Sequence, residues 1–575
     1  MIQYKLFLKN PSSHYIYVDL TIGNIQSDSI TLQLPAWRPG RYELGNFAKN
    51  IKRVDVFDNK NNNLEYTKTS KDQWRINTKG VNEIKVTYSY FASELNAGAC
   101  FADETQIYVN PVHLCMYVPE RMNEEHKIEL EIPDNYKIAC QLPVKGKILT
   151  AKSFDELADS PFIASAGIKT DAYEVDGVKF HLHFNGECQP DFEKIKKHFS
   201  AFTKTQFRFW GGCPVKEYHF LFQVLPFKFY HGVEHEKSTV IVLGPGYHLN
   251  DGKTYEDLLG VSSHELFHSW NVKYIRPAEM LPYDFSKENY ARTGYVYEGF
   301  TTYYGDVMLR VSGVFNDEQY FETLEERLQK HFHNYGRYNL SVAASSWETW
   351  LDGYAPGAPY RKTSIYDEGN LVAFMLDILI MKHTKNKKSL RDVCRALYND
   401  FAKKGKGYSE QDMISLCENA AGVSLNDFFK KYVYGTEDFE PMLKECFEYV
   451  GVEMKKSAST YINESRFGFK ALEHAPLTKV TIVAPFSPAW KAGMSIGDDI
   501  IAVNGYSLKN DLNNWLNYFN DQDISLTVSS QGKIKTLMLR GKKSSDTFFD
   551  NHKLMLKSDA SASQKENFRK WLIEN

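Results

Sequence analysis

The hydrophobic period of this chain changes along its length, and the change decides what the chain can fold into. Up to about residue 165 apolar residues alternate. "HYIYVDLTIG" puts Ile16, Val18, Leu20 and Ile22 on one face, and "HKIELEI" does the same with Ile128, Leu130 and Ile132. Period-two runs divided by Pro, Gly and Asn turns predict an antiparallel β domain, a sandwich or saddle, over 1–165. Over 166–250 strands surround one helical run, "QPDFEKIKKHFSAFTKTQFRFWG". From about 254 to 445 the period is helical, in "KTYEDLLGVSSHELFHSWNV", "EGFTTYYGDVMLRVSG" and "EQYFETLEERLQKHF". Three later helices are predicted to open at Ser389/Asp392, Ser409/Asp412 and Ser424/Asp427, where Ser caps free N–H groups and Asp suits the positive helix end. Residues 455–542 read as another strand-rich unit, and Ser563 to Glu566 reads as a capping box opening a short helix in the tail, 543–575.

A chain of 575 residues has a prior of roughly three to four domains at about 150 residues each. Its 43% hydrophobic and 25% charged residues are ordinary for a globular chain. A net charge of −3 argues against nucleic acid or an anionic membrane as partner. The eight cysteines lie far apart without C-x-x-C spacing, which predicts free buried thiols in a reducing compartment. "MIQYKLFLKNPSSHY" has no apolar h-region, and no run approaches the ~18 apolar residues of a membrane span. The expected location is therefore cytoplasmic.

Two histidine pairs compete for a metal. "HELFH" places His264 and His268 four apart in a helical run, so both imidazoles lie on one helix face, about 6 Å apart at Cβ, and can converge on one Zn²⁺. Glu265 is offset by one residue and can sit beside the ion without ligating it, placed to accept a proton from water. A third ligand is needed, and Glu298 stands near the start of the next helical run. Asn271 and Asp306 are candidates to orient the metal-bound histidines. "HGVEH" offers His231, Glu234 and His235, the inverted zinc-peptidase spacing, but its surroundings read as strand. Four residues of strand span roughly 13 Å, too far for two side chains to share one ion.

"HELFHSWNVKYIRP", "YEGFTTYYGD" and "YDEGNLVAFMLDIL" together resemble the glycyl aminopeptidase family, metallopeptidase family 61, a gluzincin group related in fold to thermolysin. "LPAWRPGRYELGNFAKNI" resembles the same family, and "SPAWKAGMSIGDDIIAVNG" resembles a PDZ domain. The resemblance implies an α+β multidomain chain with an N-terminal antiparallel β domain (1–165). It implies a thermolysin-like, mainly helical zinc peptidase domain (166–450) and a C-terminal PDZ domain (455–542). It implies one Zn²⁺ on His264, His268 and Glu298, Glu265 as general base, and Tyr366 aimed at the developing oxyanion. It also implies that Gly232 lets a peptide backbone approach the strand while Glu234 takes the free α-amine. Arg466, Phe467, Gly468 and Phe469 match a PDZ carboxylate loop, which would bind a C-terminal peptide or else pack on the peptidase. Glu368 and Tyr274 depart from the family pattern, each standing where a basic residue is common, and a carboxylate at 368 would oppose oxyanion stabilisation. The expected function is an aminopeptidase acting on peptides with free N-termini, favouring Gly or Ala. The rival readings are an endopeptidase whose PDZ unit captures substrates and a non-catalytic PDZ scaffold.

Overall fold

The computed structural model of the chain describes residues 2–355, 357–474, 477–520, 522–540 and 547–573. The alternating runs of the first 165 residues build a seven-stranded sheet in the order Val144–Lys145, Ile148–Ala151, His126–Glu131, Ile2–Phe7, Tyr15–Gly23, Glu83–Phe91, Ile51–Asp58. A three-stranded and a four-stranded sheet accompany it. Ile16, Val18, Leu20, Ile128 and Leu130 are buried in one core, as their alternation requires. The expectation of an antiparallel domain fails at one pair, because Ile2–Phe7 and His126–Glu131 run parallel. Alternation reports which face a residue occupies and says nothing of strand direction.

The next unit is a mixed five-stranded sheet in the order Lys169–Val175, Val178–Gly186, Glu217–Val224, Ser238–Gly244, Phe229–Glu234. The helix Phe192–Trp210 makes the crossover between two parallel strands, Val178–Gly186 and Glu217–Val224. Its start is capped by Asp191 and its end by Gly211 in the left-handed conformation. The strand Phe229–Glu234 is therefore an edge, antiparallel to Ser238–Gly244, with the helix Gly252–His268 packed beside it. The helices Thr301–Val311, Asp317–His333 and Asp367–Thr384 complete the body. The last is buried without interruption from Glu368 to Met381, which explains why its apolar residues follow no stripe. The helices beginning after Ser389 and Ser409 carry the expected capping boxes. Ser424 makes no box with Asp427: Leu425 occupies the cap position of Asn426–Phe428, which runs on as a π-type segment over Phe429–Val433, and the Ser424 hydroxyl donates to Glu418 while accepting from the Asn426 amide at 3.4 Å.

Past residue 450 the chain leaves this body and returns. Val452–Ser457 pairs with Asn551–Leu556, and Val452 and Leu554 belong to the helical core. Between these strands hangs a separate unit with its own core, its main sheet ordered Phe469–His474, Leu477–Val483, Asp499–Val503, Ile524–Ser530, Lys533–Leu539. The boundary placed at 542/543 lies outside the described residues. The final helix, Ala562–Leu572, is capped by the Ser561/Gln564 box and not by Ser563/Glu566. It buries Trp571, whose indole N–H donates to Tyr303 in the helical body, so the tail is a structural part of that body. Among the described residues no helix is long and apolar enough to cross a membrane. None of the eight cysteines forms a disulfide, and seven are buried.

The N-terminal β domain is locked to the mixed sheet in two ways. Tyr108, Ala139 and Ile163 pack on Leu221, Val240 and Val242 across the interface. Beside this contact Asp159 accepts hydrogen bonds from Lys273 Nζ (2.7 Å), His235 Nδ1 (3.1 Å) and the Glu236 amide (2.8 Å). Burial alone would raise the Asp159 pKa, but Lys273 and His235 hold it well below the carboxylate range. Asp159→Ala leaves the Lys273 ammonium, whose side chain is 1% exposed, without its carboxylate. Breaking a buried pair costs about 3–5 kcal/mol, so the substitution is expected to lower the thermal and urea midpoints; unchanged midpoints would contradict the interface role.

Candidate metal centre and active site

The helix Gly252–His268 ends on the motif itself, so His264 and His268 occupy its last two turns. Their Nε2 atoms are 3.0 Å apart. Glu298 arrives from the neighbouring element, a π-type turn over Tyr295–Phe300 that runs into the helix Thr301–Val311. Such turns insert an extra residue and re-aim a side chain, and they recur at functional sites. The Glu298 Oε2 stands 3.3 Å from His268 Nε2 and 3.8 Å from His264 Nε2. Two ligands at 2.0–2.1 Å from a tetrahedral ion stand about 3.3 Å apart, so this donor set fits one Zn²⁺.

Backbone contacts set these positions. A side chain at Gly299 would meet the Gly369 Cα at 2.4 Å, so the Glu298 turn and the helix carrying Tyr366 at its start cross backbone to backbone. A side chain at Gly305 would meet the His264 Cα at 3.1 Å, so the helix Thr301–Val311 lies directly against the helix that carries His264 and His268. Gly232 has a similar part: a Cβ there would lie 2.2 Å from Glu265 Oε1. The edge strand thus lacks a side chain where the Glu265 carboxylate sits.

The surroundings fix the ligand tautomers and charges. His268 Nδ1 donates to the Asn271 carbonyl at 2.6 Å, leaving Nε2 for the ion. Asn271 therefore orients His268 through its backbone, while its side chain donates to the Val296 carbonyl and Thr301. Asp306 has no hydrogen bond to either histidine among the described residues; burial raises its pKa to about 6, with Arg327 as the nearest compensating charge. The Tyr42 hydroxyl donates to Glu298 Oε1 at 2.7 Å. It belongs to the "WRPGRYELG" loop of the N-terminal domain, which the sequence flagged only by resemblance. A Pro/Gly-rich stretch carrying Trp, Arg and Tyr between two strands was the available signal.

Glu234 is 3% exposed, and its carboxylate, that of Glu265 and a His268 nitrogen lie within 4.8 Å of one another. Glu234 Oε1 and Glu265 Oε2 are buried with no hydrogen-bond partner. Burial, with the Glu234 and Glu298 charges, pushes the Glu265 carboxyl well above its usual range, while burial and then His268 push His264 well below its own. Despite burial, Glu298 and Glu234 push His268 up to about 10. Arg38, from the same N-terminal loop, lies buried on the Glu234 side without an ion pair to it among the described residues.

The remaining candidates divide. Tyr366 hydrogen-bonds through its hydroxyl to Tyr354 at 3.0 Å, and its pKa is raised by burial and by Glu298. Glu368 is turned aside, held by His331 Nδ1 (2.6 Å) and Thr363 Oγ1 (2.8 Å), so the expected opposition to an oxyanion at Tyr366 is met by a histidine partner. Tyr274 donates to Glu236. His231 sits on the strand Phe229–Glu234 and His235 bonds to Asp159, so the two share no ion, as strand spacing requires. In the C-terminal unit the amides of Phe467 and Gly468 are already bonded to the carbonyls of Ile462 and Glu464, Phe469 pairs with Val483, and Arg466 reaches Asn520.

Two outcomes follow from this geometry. Tyr42→Phe is expected to weaken zinc binding about 10–100-fold, the usual cost of losing a partner to a metal ligand; an unchanged affinity in a chelator competition would dismiss Tyr42. In the metal-free protein His268 holds its proton up to about pH 10, so zinc must displace it. The apparent zinc affinity should rise roughly tenfold per pH unit between about pH 6 and 9 and flatten only near and above pH 10; a flat profile would contradict the charge balance described.

The chain is similar to known proteins in the regions that build this site. The peptidase M61 N-terminal domain matches residues 3–166, and the M61 glycyl aminopeptidase family matches residues 257–372. A crystal structure of an aminopeptidase N family protein from Idiomarina loihiensis is 25% identical, covers 100% of both chains and has a TM-score of 0.91. An M1 zinc metallopeptidase variant from Deinococcus radiodurans, bound to a Tyr-Ser-Ala substrate, is 11% identical over 76% of this chain and 94% of its own, with a TM-score of 0.48. No curated protein sequence matches the chain.

Proposed function

We propose that this chain, a zinc metallopeptidase carrying both domains of the M61 glycyl aminopeptidase family, removes single residues from the free N-terminus of peptides. The observation that carries the reading is Glu234 Oε1, a buried acceptor without a donor, beside Glu265 and the ligand His268. A free α-ammonium supplies the donor and the charge that such a carboxylate lacks; an internal peptide bond supplies neither.

His264, His268 and Glu298 would hold Zn²⁺, which supplies Lewis-acid polarisation of the scissile carbonyl and makes water acidic enough to lose a proton at neutral pH. Glu265 accepts that proton through its unpartnered Oε2 and returns it to the leaving amine. Tyr366 donates to the oxyanion as it develops. Burial and the Glu298 charge keep it a neutral phenol, and Tyr354 holds its hydroxyl in place. The peptide backbone pairs with the free edge of Phe229–Glu234, with Gly232 keeping Glu265 close to that edge. We assign small first residues, Gly or Ala, on the description of the matching family.

The C-terminal unit we read as a PDZ-type module acting as a wall. Its loop amides are engaged internally, Tyr360 bonds the Val483 backbone, and Lys470 Nζ bonds His333 Nδ1 of the peptidase body. That arrangement favours packing over capture of a C-terminal carboxylate.

The test is a panel of aminoacyl substrates, amine-free and N-acetylated. The parent should cleave only the free forms and lose turnover to a chelator. Glu265→Gln should keep zinc and lose about 10²–10⁴-fold in kcat. Glu234→Gln should raise KM on free-amine substrates with a smaller change in kcat. Equal cleavage of blocked substrates would replace the aminopeptidase reading with an endopeptidase. Absence of bound zinc would leave a scaffold.

A further inference from the structure

A second group of metal-binding side chains stands outside this site. The strands Val178–Gly186 and Glu217–Val224 pair in parallel with His181 opposite His219, and His183 lies two residues along on the same face. Their even-numbered neighbours Phe180, Leu182, Phe184, Phe220 and Phe222 enter the core, so the three histidines share the opposite face of the sheet. That face is the one the N-terminal domain covers, and the strand Ser238–Gly244 separates it from the edge strand carrying Glu234.

The three rings are nearly parallel, with centroids 4.5, 5.5 and 5.8 Å apart, so they must turn about their Cβ–Cγ bonds for three ring nitrogens to meet at one tetrahedral ion. One ring nitrogen from each lies within 4.8 Å of the other two. His183 Nε2 and His219 Nδ1 are 3.2 Å apart, near the edge length of about 3.3 Å expected for two nitrogens on one tetrahedral ion. Two rings have one nitrogen engaged by a neighbour, which leaves the other for an ion. His181 Nε2 is held by Glu217, and His183 Nδ1 meets Thr170 Oγ1 at 3.3 Å. Metal-bound imidazoles carry this pattern, one nitrogen for the ion and the other for a carboxylate or hydroxyl that fixes ring and tautomer. His183 is 9% exposed, while His181 and His219 are partly exposed and leave an ion a route from solvent.

We propose that His181, His183 and His219 form a second metal site, for a borderline divalent ion such as Zn²⁺, Cu²⁺ or Ni²⁺, tying two parallel strands together beside the N-terminal interface. Imidazole donors suit those ions and not Mg²⁺ or Ca²⁺. The site is separate from the catalytic chemistry and acts on stability.

The experiment uses the full chain, stripped by a chelator and dialysed against buffered micromolar Zn²⁺, with metal counted by atomic emission. The parent should hold about two ions per chain, and both His264→Ala/His268→Ala and His183→Gln/His219→Gln about one each, the latter with turnover intact. A His183→Gln/His219→Gln chain that binds as the parent does overturns the proposal. So does a His264→Ala/His268→Ala chain that binds none. Because the strand substitutions can impair folding, the second measurement leaves the cluster intact. Cu²⁺ added to His264→Ala/His268→Ala should give an electron paramagnetic resonance spectrum split by imidazole nitrogens. A spectrum of oxygen-ligated copper overturns the proposal independently.

Discussion

The centre of this molecule depends on the burial of carboxylates. Glu234, Glu265 and Glu298 are all at most 5% exposed, and they converge on one pair of histidines. Unpaired carboxylates cost several kcal/mol each away from water unless a cation or donors compensate them. The protein supplies few: Tyr42 donates to Glu298, and Arg38 contributes charge from beyond ion-pair distance. The donor spacing completes the account, because it matches a small tetrahedral dication. A site of this kind is costly to build, and its concentrated negative charge favours whatever positive charge enters it.

Holding that arrangement demands close backbone approach, and glycines provide it where motifs alone give no reason for them. Gly299 and Gly369 let two helical segments touch, which sets Glu298 against the start of the Tyr366 helix. Gly305 brings the Glu298 helix onto the back of His264. Gly232 leaves the edge strand open where Glu265 sits. A methyl group at Gly299, Gly369 or Gly232 would clash at 2.2–2.7 Å and one at Gly305 would crowd His264 at 3.1 Å, shifts that matter on the scale of coordination and proton transfer.

The peptidase core was legible where chemistry and periodicity coincide in one segment. "HELFH" on a helix and the dismissal of His231 and His235 as ligands follow from local spacing, whereas Glu298, by itself a helix-start glutamate, is a ligand candidate through the family resemblance. What stayed hidden was supplied from a distance or by backbone. Tyr42 lies 256 positions from the Glu298 it holds. The Asn271 carbonyl that orients His268 could come from any residue type, so a side-chain reading offers Asp306 beside Asn271 and cannot separate them. The histidines of "KFHLHF" and "EYHF" lie on two strands far apart in the sequence. Only parallel pairing across the helix Phe192–Trp210 makes them neighbours. Likewise the Ile2–Phe7 and His126–Glu131 pairing is invisible to alternation.

The N-terminal loop connects these strands of evidence. It touches Glu298 through Tyr42 and Glu234 through Gly40, whose would-be Cβ lies 2.4 Å from Glu234 Oε2. Gly40 has a φ of +82°, open to glycine and strained for other residues, so the loop backbone itself lies on the carboxylate. Arg38 is wedged against Gly98, where a side chain would clash with its guanidinium, so the loop has little freedom to retreat. On the proposed reading, the distance between the ion and Glu234 decides how many residues fit between the ammonium and the scissile bond. Consecutive Cα atoms stand about 3.8 Å apart, so a displacement of that size would change the register from one residue to two. On that reading the peptidase fold would supply the hydrolytic chemistry, and the N-terminal β domain, by pinning both ends of that span, would supply the rule that cleavage occurs after the first residue.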